Sequence, residues 1–263
     1  MPRSETPPSA PRIFTPEYYA RMRELESQSW WNAGMRDTAK MLLARAALPS
    51  SGAMLDAGCG SGQTMSWFQG DYPSWSVTGI DVAPEGLAAA RAAGLSVEQA
   101  SVLEIPFDRR SFDLVVTLDV LQHLPLDGGD ATALAEFARI LRPGGKLLIR
   151  TNAQAIPHVE DDREYSFRKY EPRHLRERIA AAGFEIIVLG RANAMLGLAE
   201  IPREARARRR QSAEYHGILA EPHRNAGLIQ ALCRRWLALE GRAVAAGWQL
   251  PFGRTIFALC RAK

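Results

Sequence analysis

The sequence predicts an α/β fold: a doubly wound, mostly parallel sheet that follows an N-terminal helical leader. Three observations predict it. Short apolar runs alternate with helix-like segments at the spacing of βα units. A glycine-rich turn, Gly58 to Gly62, follows the first run, and an aspartate, Asp81, follows the second. This alternation is typical of parallel strands with helices packed on both faces of the sheet.

Composition limits the classes of protein that need to be considered. At 263 residues, the chain can bury the core of one enlarged domain. Apolar residues make up 46% of it, and no apolar run reaches the roughly 18 residues that a membrane span requires. The N-terminus has no apolar signal segment, and three cysteines are too few for a disulfide framework. We therefore expect a soluble, cytoplasmic protein without membrane association; the oligomeric state is not predicted.

The net charge of +4 is concentrated in one region. Nine arginines and four acidic residues lie between Ile201 and Arg242, and the whole chain has only four lysines. The run from Arg206 to Arg210 has two interpretations, a solvated helix face or a surface for an acidic substrate or RNA. We favour the solvated face, so nucleic acid is not the expected partner.

The chain before the first strand is predicted to form a tail and a leader. Residues 1–12 are rich in proline and serine and poor in apolar side chains, which predicts a disordered tail. Residues 13–50 are predicted to be a helical leader that caps the fold, with Thr15 as N-cap and Pro16 at the first helical position. A second helix is expected from Met35 to Leu48.

The sheet and its helices are predicted to occupy residues 51–193 and 254–263. The first strand is expected at Ala53 to Asp56 and the second at Val77 to Ile80. The runs FDLVVTLD, KLLIRTN, FEIIVLG and TIFALCR are numbered as strands four to seven, and no run is assigned to strand three. This part of the chain is the expected ligand-binding core.

The turn after the first strand has the residues that a nucleoside site requires. Glycines at 58, 60 and 62 let the strand turn sharply into a helix, where a Cβ would clash with the turn or with a ligand. The dinucleotide pattern G-x-G-x-x-G fails, because Gln63 occupies its last glycine position, and the Gly-Lys-Ser/Thr of a phosphate loop is missing. An acid, Asp56, precedes the first glycine by two residues.

Asp81 has the spacing of a ribose-binding acid. It lies 21 positions after Gly60, close to the roughly 20 expected for a carboxylate that accepts hydrogen bonds from the ribose hydroxyls. The alternative is an N-cap for the helix starting near Pro84. Val82 then offers an apolar contact for adenine.

The segments LDAGCGSG, GIDVAPEGLAAAR, IPFDRRSFDLVVTLDVLQHL and LRPGGKLLI resemble the successive motifs of class I (Rossmann-like) S-adenosylmethionine-dependent methyltransferases. The resemblance covers about Ala53 to Thr151. It implies a doubly wound, seven-stranded, mostly parallel sheet with an N-terminal helical leader and a helical insertion before the last strand. It implies S-adenosyl-L-methionine as cofactor and S-adenosyl-L-homocysteine as product. It places the methionine part against Asp56, Gly58 and Gly60, the ribose against Asp81, and the adenine edge against Ser101 and Val102. Many members have aspartate at the position of Ser101, so an uncharged hydroxyl makes a weaker acceptor here.

Two residues after the fourth strand are candidates for the reaction side. In an α/β sheet ligands collect at the carboxyl ends of the strands, where Asp119 and His123 are expected. Asp119 is grouped with the cofactor-binding residues. His123 is a candidate general base, and the alternative is a local packing role. Cys59 is expected to be a small apolar filler in the glycine turn.

The leader carries a second resemblance. Tyr18-Tyr19 and Trp30-Trp31, with Arg36, resemble the aromatic leader of some small-molecule members of the family. Arg36 could then pair with the cofactor carboxylate, or it is a solvated helix arginine. Tyr19 is a second candidate for the catalytic group. No metal site is expected, because the acidic loop Glu160 to Asp162 has no matching ligand pattern.

The last third contains the expected insertion, residues 194–253. Its predicted helices are Ile201 to Leu219 and Ala226 to Ala246, with Trp236 and Trp248 in its core. Strand six is expected to run parallel to its neighbours, so the insertion leaves the sheet on the ligand face and covers the acceptor as a cap.

These predictions favour methyl transfer to a small-molecule acceptor, a natural product or metabolite. Two alternatives remain open. One is an RNA or protein methyltransferase that uses the arginine-rich insertion, and the other is a cofactor-binding partner subunit without catalysis.

Overall fold

The computed structural model describes residues 29–153, 168–194 and 227–263. Several predictions concern residues outside these ranges: the tail 1–12, the start of the leader with Tyr18 and Tyr19, the acidic loop at 160–162, the helix expected over 201–219 and the arginine run 206–210. The described residues contain a seven-stranded sheet with helices on both faces, as predicted.

Six of the seven strands correspond to a predicted apolar run. The strands are β1 (Ala53–Ala57), β2 (Ser76–Asp81), β3 (Val97–Gln99), β4 (Phe112–Leu118), β5 (Leu141–Asn152), β6 (Phe184–Ala192) and β7 (Thr255–Ala262). The strand β3 was not predicted, and β5 begins five residues before its run KLLIRTN. Their order across the sheet is β3-β2-β1-β4-β5-β7-β6. The pairs from β3 to β5 are parallel, so the carboxyl ends of these five strands meet at one edge.

The predicted pairing of β6 with parallel neighbours is wrong. In the described chain β6 pairs with β7 alone, and the two strands are antiparallel. The strand β7 is inserted between β5 and β6, and it is also antiparallel to β5. As a result β6 keeps the direction of β1 to β5, and its carboxyl end still lies at their carboxyl edge.

Six α-helices are described: α1 (Trp30–Ala44), α2 (Gln63–Asp71), α3 (Pro84–Ala92), α4 (Gly129–Ile140), α5 (Pro172–Ala181) and α6 (Gly227–Ala245). Apolar residues of α4 and α5 pack on one face of the sheet, and those of α1, α2, α3 and α6 pack on the other. The helix predicted to begin at Met35 begins earlier, because the Ser29 hydroxyl accepts a hydrogen bond from the Asn32 N–H and caps α1.

The helices α1 and α6 run side by side in the same direction. The two helices approach closely at two glycines. A Cβ on Gly34 of α1 would lie 2.6 Å from Leu237 Cδ1 of α6. One turn later, a Cβ on Gly241 of α6 would lie 2.6 Å from Thr38 Oγ1 of α1. Near the end of both helices the Arg45 guanidinium donates to the carbonyl oxygen of Ala245. This second half of the predicted insertion therefore packs against α1 and, through Val244, against β6, and it is part of the sheet core.

The expectation that Trp236 and Trp248 belong to a core is wrong. Their exposed fractions are 50% and 68%, because α6 buries Leu237 and Val244 and turns Trp236 away from the sheet. The Trp236 indole N–H instead donates to the Glu240 carboxylate. Among the described helices none is long and apolar enough to cross a membrane.

Candidate active site

The glycine turn after β1 is folded tightly against the end of β2. The backbone N–H groups of Gly58 and Cys59 both donate to the Ile80 carbonyl, at 2.8 and 2.9 Å. Gly58 has a φ of 90°, and a Cβ on it would lie 2.2 Å from Val120 Cγ2. Only glycine fits this position without displacing Val120. The turn therefore keeps its backbone accessible at the carboxyl edge of the sheet.

Asp81 joins this turn to the end of β2. Its Oδ2 accepts from the Gly60 N–H at 2.8 Å, and its Oδ1 accepts from the Ala83 N–H at 2.9 Å. The N-cap position of α3 is Ala83, so Asp81 is not the cap of that helix. Each carboxylate oxygen has a further lone pair, so the half-buried Asp81 can still accept from a diol.

The residues expected beside adenine lie at the ends of β2 and β3. The Ala100 N–H donates to the Asp81 carbonyl, which brings the Ser101 turn next to β2. Ser101 Oγ accepts from the Leu103 N–H at 3.1 Å, so part of its acceptor capacity serves the turn itself. Val102 is buried, and Val82 is 59% exposed. An exposed valine beside the carboxylate offers an apolar surface to a flat ring.

Asp56 is a buried carboxylate at the end of β1. It is 2% exposed, and its Oδ2 has no hydrogen-bond partner among the described residues. Its pKa is raised to about 8, mainly by desolvation and also by the charge of Asp81, while Arg150 acts in the opposite direction. A buried, unpaired carboxylate is costly unless a ligand completes its hydrogen bonds. Asp56 is thus poised to meet a hydrogen-bond donor or a cation.

Asp119 adopts an unusual backbone conformation at the end of β4. Its φ is 61°, which is uncommon for a residue other than glycine. Nε and Nη2 of Arg150, on the neighbouring strand β5, donate to its Oδ2 at 3.0 and 2.5 Å. The Arg150 guanidinium also lies 5.5 Å from the ring centre of Trp31. Sequence analysis missed Arg150, because only the fold brings these three residues together.

His123 ends a short 3₁₀ turn, Leu121–His123, just beyond Asp119. The neighbouring Gln122 holds this turn, since its Oε1 accepts from the Thr151 hydroxyl and the Asn152 N–H, both at 3.1 Å. His123 retains exposed surface, yet partial desolvation lowers its pKa below the ordinary value while Asp119 acts in the opposite direction. Its imidazole is therefore largely neutral near pH 7 and able to accept a proton.

The first turns of α1 and α6 form a groove of about 540 Å³. Trp30, Arg36 and Asp37 line it from α1, and Arg234 and Arg235 line it from α6. No ion pair of Arg36 with another described residue is observed, and its assignment to the cofactor carboxylate stays a prediction. One residue that sequence analysis missed is Asn32, whose buried Nδ2 has no partner within the described part of the chain.

Cys59 fills space beneath the turn, as expected. Its side chain is buried against Gly79, where a Cβ would come within 2.8 Å of Sγ. Burial and the nearby carboxylates raise the pKa of the thiol, so it is not a nucleophile at neutral pH.

The site fits S-adenosylmethionine better than a dinucleotide. The glycine turn offers close backbone approach, Asp81 offers acceptors for a ribose, and the unpaired Asp56 oxygen suits a cationic or hydrogen-bond-donating group. A pyrophosphate at this turn has no hydrogen-bond donor for the unpaired Asp56 oxygen, and it would be repelled by the ionised form of the acid. The carboxyl edge of β1, β2 and β4 is therefore suited to a nucleoside with a positively charged tail.

Comparisons with known proteins agree with this geometry. Residues 55–149 match the family model described as a methyltransferase domain. The chain is 32% identical over 145 residues to a trans-aconitate 2-methyltransferase of Azoarcus sp. strain BH72, covering 55% of this chain and 54% of that protein. It is 31% identical over 102 residues to a tRNA (carboxymethyluridine(34)-5-O)-methyltransferase of Arabidopsis thaliana, covering 39% of this chain and 24% of that protein.

A solved structure shares the fold. Phosphoethanolamine N-methyltransferase 2 of Haemonchus contortus, in complex with S-adenosyl-L-methionine, superimposes with a TM-score of 0.61 at 20% identity, over 95% of this chain and 58% of that one. Residues 55–149 therefore form a methyltransferase domain, and the chain has the class I (Rossmann-like) methyltransferase fold. It spans about half, or less, of the length of the curated relatives it matches.

Proposed function

We propose that this protein transfers a methyl group from S-adenosyl-L-methionine to a small organic acceptor. The observation that carries the proposal is the junction of the glycine turn with Asp81, next to the unpaired carboxylate of Asp56. Asp81 would hold the ribose, with Ser101, Val102 and Val82 around the adenine. Asp56, the backbone at Gly58 and Gly60, and Arg36 would hold the methionine part.

The bound cofactor supplies an activated methyl group on a sulfonium sulfur. The task of the protein is then mainly positioning, because the acceptor atom must lie in line with the methyl group and the departing sulfur. The acidic side chains of Asp56 and Asp81 favour a positively charged ligand. They therefore stabilise S-adenosylmethionine, whose sulfur is a cation, more than S-adenosylhomocysteine, whose sulfur is uncharged. This difference in charge favours product release after transfer.

His123 is the proposed general base for acceptors that must lose a proton. It follows the Asp119 turn, its pKa is lowered, and Gln122 fixes the turn against β5. Tyr19 is retained as an alternative catalytic group. An acceptor that already has a free lone pair needs neither residue, and positioning alone then suffices.

The acceptor is proposed to bind beside residues 194–253. The antiparallel β7 leaves β6 running toward the carboxyl edge, so the chain after Ala192 leaves the sheet on the ligand side. The groove between the first turns of α1 and α6 is at this end, because Trp31 of α1 contacts Arg150 near the carboxyl end of β5. A relative that methylates trans-aconitate supports a small acceptor.

A macromolecular acceptor is the second candidate, supported by the relative that is named as a tRNA methyltransferase. The two candidates are separated by incubating the protein with methyl-labelled cofactor and three acceptor pools: small metabolites, RNA and protein. The proposal expects label in the metabolite pool alone. Label in RNA that is lost steeply as salt rises would favour the second candidate, and cofactor binding with no label in any pool would favour a non-catalytic partner subunit.

A further inference from the structure

Arg150 lies near the carboxyl end of β5, beside Asp119 at the end of β4. It pairs with Asp119 through two N–H groups, and its guanidinium lies against the ring of Trp31. Its side chain is only 13% exposed. Because it links a strand end, a loop aspartate and the first turn of α1, it connects elements that are far apart in the sequence.

The ion pair has a backbone consequence. Asp119 holds a left-handed conformation that disfavours side chains, so other contacts must stabilise it. Two such contacts come from Arg150: the ion pair, and the Arg150 carbonyl, which accepts from the Asp119 N–H at 2.8 Å. The loop that leads to His123 therefore starts from a position set by Arg150.

Arg150 also sets the charge of the cofactor pocket. The charged groups that act on Asp56 are Asp81 from β2 and Arg150 from β5. Arg150 is the group in this set that lowers the pKa of Asp56. Loss of its charge would leave Asp56 and Asp81 facing each other, and Asp56 would be protonated over a wider pH range.

We propose that Arg150 is a positioning residue for cofactor binding, which orients Asp119, contacts the ring of Trp31 and brings a positive charge to the acidic side chains of the site. This inference rests on the proposed function. It assigns Arg150 a role beyond strand packing, since a packing residue would not control the pH at which the cofactor binds.

The test measures binding of S-adenosylhomocysteine and S-adenosylmethionine by calorimetry between about pH 6 and about pH 9. The variants are Arg150→Met, which removes the charge, and Arg150→Lys, which keeps it without the planar two-bond contact. The control is Arg261→Met. Arg261 makes the same pattern of bonds through Nε and Nη2, to Glu185 at 3.1 and 2.5 Å, but at the opposite end of the sheet.

Arg150→Met is expected to weaken S-adenosylmethionine binding about tenfold or more near neutral pH, and to move the pH of half-maximal affinity upward. Arg150→Lys should lose affinity but keep the wild-type pH midpoint. Arg261→Met should match the wild type in both. If Arg150→Met does not fold, Arg150→Lys alone tests the inference. This variant should bind the cofactor more weakly than the wild type, with the same pH of half-maximal affinity.

Wild-type affinity in Arg150→Lys, together with a wild-type pH midpoint in Arg150→Met, would overturn the inference while leaving the proposed function intact. A wild-type protein that binds neither cofactor form would overturn both. The two failures are therefore distinguishable in one series of titrations.

Discussion

The backbone N–H of Gly60 donates to Oδ2 of Asp81 at 2.8 Å, so the turn after β1 and the end of β2 are joined directly. Twenty-one positions separate these residues in the sequence. The hydrogen bond orients the carboxylate toward the turn, and the second bond, from Ala83 to Oδ1, fixes its plane. A ligand at the glycine turn therefore meets an acceptor that is already in place.

Asp56→Asn should make the protein more stable and bind the cofactor more weakly. Burial raises the pKa of Asp56 from 3.8 to about 8, so the folded state favours the protonated acid. That stabilisation is complete below about pH 4 and is lost as the pH rises through 8. The melting temperature of Asp56→Asn should therefore exceed that of the wild type by a margin that grows up to about pH 8.

Cofactor binding should show the opposite trend in the same variant. Wild-type affinity for S-adenosylmethionine should rise toward pH 8, since the cationic ligand favours the ionised carboxylate, and Asp56→Asn should bind weakly with little pH dependence. Asp71→Asn is the control, because Asp71 is exposed at the end of α2 and pairs with Lys40. Equal stability of Asp56→Asn and the wild type at all pH values would contradict the claim that burial of the ionised Asp56 side chain destabilises the fold.

His123→Ala should lower turnover by roughly 10² or more while cofactor affinity stays within a few-fold, if His123 is the general base. Because the pKa of His123 is lowered, the acidic limb of the profile of kcat against pH should have its midpoint below 6.5, the ordinary pKa of histidine. His174→Ala, an exposed histidine on α5, is the matched control. Near-normal turnover in His123→Ala would assign the histidine to local packing and leave positioning as the source of the rate.

Replacing residues 195–226 with a Gly/Ser linker should separate acceptor from cofactor binding. Removing the whole segment 194–253 is not a clean test, because Leu237 and Val244 of α6 belong to the sheet core. The Ala194 N–H donates to the Glu240 carboxylate, and Glu240 lies 13 residues after Gly227, the start of α6. A linker from Ala194 to Gly227 must therefore span about 20 Å. About ten extended residues suffice.

The shortened protein should keep cofactor affinity within a few-fold and lose most methyl transfer, because acceptor orientation contributes effective molarities of roughly 10⁵ M or more. A second variant that changes only the arginines of the run 206–210 to serine tests the RNA alternative, and it should retain activity on a small acceptor. Full turnover without residues 195–226 would remove this segment from the acceptor site.

The sequence was most informative where the chemistry is local. Parallel strands buried on both faces appear as continuous apolar runs, so β1, β2 and β4 were predicted within one or two residues. The glycines of the turn and Asp81 lie within one β-turn-α-β unit, so the sequence could predict that they lie close together. The start of α1 was predicted too late, because the prediction did not include Ser29 as the N-cap of this helix.

Features that depend on distant pairing could not be predicted. The position of β7 between β5 and β6 depends on which edge the last strand joins, and the sequence holds no local signal for that choice. Arg150 lies 31 positions from Asp119 and far from Trp31, so its role depends on strand order. The amphipathic pattern of α6 predicted a helix, but the partners of its apolar face, α1 and β6, became evident only from the fold.

The most direct test of the account is calorimetric titration of the wild type and Asp81→Ala with S-adenosylmethionine and S-adenosylhomocysteine. The wild type should bind both, and NAD should not compete. Asp81→Ala should bind about tenfold or more weakly, since a charge-assisted contact contributes roughly 1.5 to 3 kcal/mol. Asp71→Ala, which removes an exposed aspartate away from the site, should match the wild type. Unchanged affinity in Asp81→Ala, or displacement by NAD, would contradict a nucleoside site built on Asp81.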